Sequence, residues 1–201
     1  MKLLNYTFSK LAFWQQILAG VLFGLGNELV LTVASALHFR ILYLDMIFTF
    51  AGSFFGFLPG VIAGLIFNVI NGIWEHNLVN QVFFLCQLLG VALTRLLVVK
   101  HKNWTFPKLL VLVLLSAVLI ALLGGYISAV LFDEIFQTNI QSVIFLVWNL
   151  MKDSKSLVNT MILANLPISL FDKFIAVFFG FYIAKLADIF FKKHSQQNNG
   201  S

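Results

Sequence analysis

The sequence predicts an all-α integral membrane protein with six transmembrane helices and both termini in the cytoplasm. Of its 201 residues, 60% are hydrophobic and only 10% are charged, whereas soluble domains carry about 25% charged residues. The chain contains several apolar runs of the roughly 20 residues that a membrane-spanning helix needs. Its longest polar stretch is residues 192–201, so we predict a single membrane domain over 1–201 and no soluble domain.

Four apolar runs each have the length of one spanning helix, over residues 11–37, 80–99, 108–132 and 167–191. The first run is longer than the apolar core of a signal peptide and lacks a clear small-residue cleavage site, so we expect it to remain in the mature protein. Pro167 is placed at the start of the last helix, where its missing N–H removes no hydrogen bond. A shorter apolar segment, residues 140–151, cannot span and is expected to lie at the outer interface.

Residues 44–73 form a nearly continuous apolar run that fits either one long helix or a hairpin of two short ones. Pro59 with Gly56 and Gly60 gives a strong turn signal in the middle of the run. A hairpin divides the run into spans 44–58 and 59–73, each roughly 22 Å long, against a hydrocarbon core of roughly 30 Å. Such short helices are tolerated where neighbours cover them or where they border a water-filled cavity.

The distribution of basic residues favours the hairpin. With six spans, nine of the 13 Lys and Arg residues fall on the side of the termini and four on the other side. This distribution agrees with the positive-inside rule. Five spans would instead leave the basic loop around Lys100 and Lys102 outside. We therefore predict six spans.

Several functional classes are excluded by what the sequence contains. Cys86 is the single cysteine, so neither an intrachain disulfide nor a cysteine-based metal site is expected. The basic residues sit at the ends of apolar runs, which argues against nucleic-acid binding. A phosphate-binding loop, a paired-histidine zinc motif and a nucleophile elbow are all missing from the sequence. We therefore predict that the chain is not an enzyme and has neither a cofactor nor a metal site.

Ionisable residues inside apolar spans are costly, and by default they indicate a functional site. Glu28, Asp45, Asp172 and Lys173 all fall near the predicted outer level of the membrane. Asp45 has a structural alternative, in which it interacts with a helix N-terminus or pairs with Arg40. Asp172 and Lys173 could likewise be structural, whereas Glu28 has the weakest structural explanation.

Amide side chains, including that of Asn27, and aromatic residues fall at the same level and together favour a small-molecule pocket. Taken singly, each amide is more readily explained as a hydrogen bond between helices. The predicted substrate-binding residues are Glu28, Asp45, Trp74, Asn80, Trp148, Asn165 and Asp172.

Gly20 and Gly24 form a small-xxx-small pattern in the first span. Such a pattern allows two helices to approach closely. It predicts either packing within the chain or docking of another membrane subunit.

Three segments resemble the substrate-binding S components of energy-coupling factor transporters. Residues 43–49, Tyr-Leu-Asp-Met-Ile-Phe-Thr, resemble the Leu-Asp start of the family's second helix. Residues 56–64, with Leu-Pro-Gly at their centre, resemble its Gly-Pro turn and Gly-xxx-Gly third helix, and residues 170–177 resemble the start of its last helix. With size and span number, the resemblance covers nearly the whole chain. The family has an Ala-xxx-Ala pattern in its first helix, which this sequence lacks in the inner half of that helix, and Gly20-xxx-Gly24 is the nearest substitute.

The resemblance implies a subunit of a prokaryotic cell membrane that binds a vitamin or related micronutrient from outside with high affinity. It would associate with a membrane coupling subunit, through Gly20 and Gly24, and with two cytoplasmic ATPases. ATP hydrolysis would topple it in the bilayer and release the cargo inside. The alternative function is that of a membrane-embedded sensor, which binds a ligand and signals to a partner protein. An aromatic lining with mixed charges would suit a flat or polar heterocycle, as most vitamins are.

Overall fold

The computed structural model describes residues 6–37, 42–76, 78–98, 103–131 and 157–198. These ranges contain six α-helices and no β-strand: α1 Phe13–Ala36, α2 Ile47–Phe55, α3 Phe57–Trp74, α4 Phe84–Val98, α5 Phe106–Leu131 and α6 Leu157–Asn198. A 3₁₀ helix, Leu78–Phe83, directly precedes α4.

Among the described residues, four helices are long and apolar enough to cross a membrane, namely α1, α3, α5 and the Asn165–Lys192 part of α6. Large apolar side chains are exposed along one face of α1, at Trp14, Leu18, Leu22, Leu25, Leu29 and Val33. Their spacing of three or four residues defines a single helix face, and a face of that composition suits lipid rather than water. The described part of the chain therefore has the character of a multi-pass membrane protein.

Helix α2 is shorter than the predicted second span, 44–58. It has nine residues, about 14 Å at 1.5 Å per residue, which is less than half of a roughly 30 Å hydrocarbon core. In the predicted span 80–99 the α-helix covers Phe84–Val98 and the preceding turn is 3₁₀. The predicted six spans are thus not confirmed. Hydropathy could not predict the length of α2, because it does not locate helix ends within a continuous apolar run.

The last helix begins at Leu157 rather than at the predicted Pro167, which lies inside α6. A proline there lacks the N–H that would bond to the carbonyl of Leu163 and crowds that carbonyl. Membrane helices tolerate such a proline where neighbouring groups satisfy the freed carbonyl. The predicted interfacial segment 140–151 lies outside the described residues.

The chain reverses at Gly56, which separates α2 from α3. Pro59 lies in the first turn of α3, where a backbone N–H would have no helical partner. Gly52 packs directly on the backbone of that turn, since a Cβ added to it would lie 2.8 Å from the Pro59 carbonyl oxygen. The two helices are therefore antiparallel and in close contact.

Gly20 and Gly24 pack α1 against α3. A Cβ added to Gly20 would lie 2.6 Å from the Cβ of Ile62, and one added to Gly24 would lie 2.7 Å from that of Ile66. Both pairs run in the same direction, so the helices are parallel and their backbones approach closely. The glycines thus serve packing within the chain, and a coupling subunit could reach them only if α3 moved away.

Helices α5 and α6 are antiparallel. The rings of Phe106 and Phe178 are 5.8 Å apart, and the Ser169 hydroxyl donates to the Ala117 carbonyl at 3.0 Å. With α1 parallel to α3 and antiparallel to α2, the packing agrees with a chain that passes back and forth through one bundle.

An N-terminal strap, residues 6–12, crosses the end of the bundle at which α6 finishes. Tyr6 and Trp104 exchange two backbone hydrogen bonds of 3.0 and 2.8 Å. The ring of Phe8 contacts those of Phe54, Phe55 and Phe181. The strap thus joins the loop before α5 to α2 and α6.

Asp188 holds the strap on α6. Its fully buried carboxylate accepts hydrogen bonds from the Tyr6 hydroxyl at 2.6 Å and from the Ser9 N–H at 3.0 Å. Lys192 lies 2.6 Å from the same carboxylate. Burial and the neighbouring Asp188 raise the pKa of Tyr6, so its hydroxyl remains a donor. The N-terminal strap and the final turns of α6 therefore lie at the same end of the bundle.

Tyr6→Phe is expected to destabilise the protein by about 1 kcal/mol, because a buried hydrogen bond contributes about that much. Tyr182→Phe makes the same change on an exposed ring and serves as the matched control. Thermal unfolding in detergent measures the difference. Equal unfolding temperatures for the two variants would contradict a stabilising role for the Tyr6 hydroxyl.

Candidate functional site

A buried ionic cluster of Asp45, Asp172 and Lys173 lies within the bundle, 16 residues along α6, about 24 Å, from Asp188 beneath the strap. The Lys173 Nζ is 2.6 Å from Asp172 Oδ2 and 3.6 Å from Asp45 Oδ1. Lys173 is 2% exposed and Asp172 fully buried, whereas the Asp45 side chain retains 30% of its exposure. Because a buried charge is costly without a partner, the three residues stabilise one another, and Asp45 is their accessible member.

Asp172 also fixes the backbone ahead of α2. Its Oδ1 accepts the Leu44 N–H at 2.7 Å. Leu44 has a φ of 52°, and this left-handed conformation costs an L-residue about 1–2 kcal/mol. The hydrogen bond helps to hold the strained residue, which in turn presents Asp45 to Lys173.

Tyr43 joins the cluster from the same segment. Its hydroxyl donates to Asn165 Oδ1 at 2.7 Å, and the Lys173 Nζ lies 6.0 Å from its ring centroid, within range of a cation–π interaction. The Tyr43 hydroxyl thus ties the segment before α2 to α6.

Gln87 approaches the cluster from α4. Its Nε2 donates to the Asp45 backbone carbonyl at 3.1 Å, and the residue is 2% exposed. Gln87 was missed by the sequence analysis. The sequence could have indicated Gln87, because its amide is the one strongly hydrogen-bonding side chain in the otherwise apolar run of residues 84–93.

Asn27 stabilises the start of α2 instead of lining a pocket. Its Oδ1 accepts the Phe48 N–H at 2.8 Å, and its Nδ2 donates to the Thr49 hydroxyl at 2.8 Å. The first N–H groups of a helix have no partner within that helix. Asn27 supplies one from α1, and this explains a fully buried amide there.

The structure brings together three of the predicted site residues, namely Asp45, Asn165 and Asp172. Asn165 and Asp172 are both buried on α6. Glu28 lies on α1 one residue beyond Asn27, half-buried, and its Oε2 has no hydrogen-bond partner among the described residues. Its helix contacts the start of α2 through Asn27, so it belongs to the same end of the bundle.

The other predicted residues are not part of the cluster as described. Trp74 lies at the end of α3 and is 77% exposed. Trp148 and the side chain of Asn80 lie outside the described residues. Their predicted roles in binding therefore stay predictions.

Helix α3 extends past the start of α2 at this end. Counting from the contact of Gly52 with Pro59, Ile47 lies level with the middle of α3, since the two helices rise equally per residue. The last two turns of α3 carry Asn68 and Asn71 beyond that level. The Asn68 carbonyl accepts the Gln81 Nε2 at 2.7 Å. The polar groups of four elements thus surround the end of the short helix.

This end of the bundle offers carboxylate, amide and phenol groups that can recognise a small molecule by charge and hydrogen bonds. Within the described ranges, no group of three or more His, Cys, Asp and Glu residues is placed to hold a metal ion. Comparison with protein-family models, with curated proteins and with solved structures finds no match to this chain.

Proposed function

We propose that the chain is the substrate-binding S component of an energy-coupling factor transporter in a prokaryotic cell membrane. It would bind a vitamin or related micronutrient from outside and deliver it across the membrane. A membrane coupling subunit and two cytoplasmic ATPases would be its partners. The observation that carries the proposal is the cluster of Asp45, Asp172 and Lys173, because ionisable groups at membrane depth are costly and are commonly retained for ligand or ion pathways.

The proposed orientation follows from charge. The end of the bundle with the N-terminal strap also carries Lys10, Lys185 and Lys192, and Arg95 lies in the last turn of α4. Basic residues concentrate on the cytoplasmic side of membrane proteins. We therefore assign this end, with both termini, to the cytoplasm and the cluster to the outside. In this topology α2 is a short returning helix within a six-pass chain.

The surface of the bundle also supports the proposal. A subunit that topples in the bilayer needs an apolar surface around most of its circumference. Large apolar side chains are exposed on α1, α5 and α6, with Leu22, Leu122 and Phe179 as examples.

Purification from the native organism in mild detergent tests the function. Mass spectrometry of the sample is expected to find one micronutrient near stoichiometric occupancy, together with a coupling subunit and two ATPases. A bound molecule without ATPases would contradict transport and favour the ligand sensor. A protein that binds nothing, even after incubation with rich growth medium, would contradict the ligand site.

Asp45→Asn is expected to weaken binding of the recovered molecule at least about tenfold. A hydrogen bond to a charged group contributes about 1.5–3 kcal/mol, and each 1.4 kcal/mol corresponds to about a factor of ten. Titration calorimetry with the purified variants measures the change. Asp188→Asn makes the same chemical change at the opposite end and should leave the affinity unaltered. Equal affinities of Asp45→Asn and wild type would remove Asp45 from the site.

A further inference from the structure

The unpaired polar atoms at the cluster end are all of one chemical kind. Four buried side-chain oxygens accept no hydrogen bond from the described residues, namely Glu28 Oε2, Asp45 Oδ1, Asn71 Oδ1 and Gln87 Oε1. Of these, Asp45 Oδ1 lies 3.6 Å from the Lys173 ammonium. Each is an oxygen that accepts hydrogen bonds. Buried polar atoms are normally paired, and an unpaired one is costly. A molecule that satisfied them would have to supply donors.

These atoms belong to four elements that meet around the start of α2. Glu28 follows Asn27, which contacts Phe48 and Thr49, and Gln87 contacts Asp45 directly. Asn71 lies on the part of α3 that extends past α2. The oxygens of Asp45 and Gln87 therefore lie at the ionic cluster. Asn71 lies up to about 10 Å further along α3, in the half of the bundle away from the strap.

The orientation of the Gln87 amide is fixed by its neighbour. Its Nε2 lies 3.1 Å from the Asp45 carbonyl oxygen and 3.5 Å from Asp45 Oδ2. Exchanging the amide nitrogen and oxygen would bring an acceptor against two acceptors, so the nitrogen must occupy this position. The Oε1 of a side chain that is 98% buried is therefore left in need of a donor.

The charges at the cluster also favour a ligand that is positively charged and donates hydrogen bonds. Two carboxylates face one ammonium, and the ammonium of Lys173 is taken up by Asp172 at 2.6 Å and by Asp45 at 3.6 Å. Lys173 is thus engaged by carboxylates and poorly placed to bind an anion. The Asp45 side chain keeps 30% of its exposure, and its Oδ1 is held by Lys173 only at 3.6 Å.

We infer that the molecule bound at this end is an organic cation with several N–H donors, such as an amidinium or an amino-substituted heterocyclic cation. The inference rests on the proposed ligand site and narrows the class of its ligand. An anionic or acceptor-rich molecule would leave the oxygens of Glu28, Asn71 and Gln87 unsatisfied and would face the carboxylate of Asp45.

Benzamidine, benzamide and benzoate test whether the ligand is an organic cation. The three probes have the same ring and nearly the same size, but they differ in charge and in the number of N–H donors. Each is titrated into the purified full-length chain in detergent, and the midpoint of thermal unfolding gives an apparent Kd. We expect benzamidine to bind at least about tenfold more tightly than benzoate, with benzamide between them. Asp45→Asn should remove most of this preference, and Asp188→Asn should retain it.

Benzoate binding as tightly as benzamidine would overturn the inference, as would a benzamidine preference that survives in Asp45→Asn. Failure of all three probes to shift the unfolding midpoint would also overturn it. In each case a micronutrient recovered from the purified protein, and lost in Asp45→Asn, would still support the proposed function. If the micronutrient recovered from the purified protein were acidic, the inferred cationic ligand would be excluded, while the proposed transport function would stand.

Discussion

A Lys173→Met variant is expected to unfold at a much lower temperature than the wild-type chain. Methionine retains most of the side-chain volume but leaves Asp172, which is fully buried, without its partner at 2.6 Å. Removing one member of a buried ion pair costs about 3–5 kcal/mol. Lys10→Met makes the same change at an exposed position and should leave stability nearly unaltered. Thermal unfolding in detergent, followed by tryptophan fluorescence, compares the two.

A double variant separates the effect of charge from that of packing. Combining Lys173→Met with Asp172→Asn removes both charges of the close pair, while the amide can still accept the Leu44 N–H. This variant should therefore be more stable than Lys173→Met alone. If Lys173→Met is as stable as Lys10→Met, the ammonium does not compensate the buried carboxylate, and the cluster is not the stabilising unit described above.

The members of the cluster could be predicted from the sequence, but their pairing could not. Asp45, Asp172 and Lys173 stand out because a charge within an apolar run is unfavourable in lipid, and that signal is local. The contact between Lys173 and Asp45 joins α6 to the segment before α2. No pattern within either segment encodes that contact, so a snorkelling lysine and an aspartate at a helix N-terminus stayed open as structural alternatives.

The ends of the helices also depend on contacts between segments that are distant in the sequence. Helix α2 begins where Asn27 of α1 satisfies the Phe48 N–H and where Asp172 of α6 holds Leu44 in a left-handed conformation. The apolar run itself is uniform. The turn at Gly56 could be predicted because glycine and proline act locally on the backbone, whereas the length of α2 could not.

Asp188, like Gln87, was missed by the sequence analysis. With Lys192 four positions later, it has the spacing of an ordinary surface ion pair on a helix. The structure buries it fully beneath Tyr6 and Ser9. The covering segment is irregular and lies at the other end of the sequence, so periodicity within α6 carries no sign of it.

Gly180→Ala is expected to produce a large loss of stability through backbone contact alone. A Cβ added to Gly180 would lie 2.5 Å from the Ile47 carbonyl oxygen and 3.0 Å from the Phe50 Cβ. A backbone oxygen cannot turn aside as a flexible side chain can, so α6 must move away from α2. Overpacking of this kind costs about 1–3 kcal/mol, which thermal unfolding in detergent measures.

Gly124→Ala is the matched control on α5, and the comparison links packing to the site. The nearest atom to an added Cβ there is the Cys86 Sγ at 3.8 Å, an ordinary contact, and alanine raises helix propensity by up to about 1 kcal/mol. Because Ile47 follows Asp45 by two residues, displacement of α6 from α2 should also separate Lys173 from Asp45. Gly180→Ala is therefore expected to lose both stability and ligand affinity, and Gly124→Ala neither. Equal stability of the two variants would contradict the close approach of α6 to α2, on which the geometry of the cluster depends.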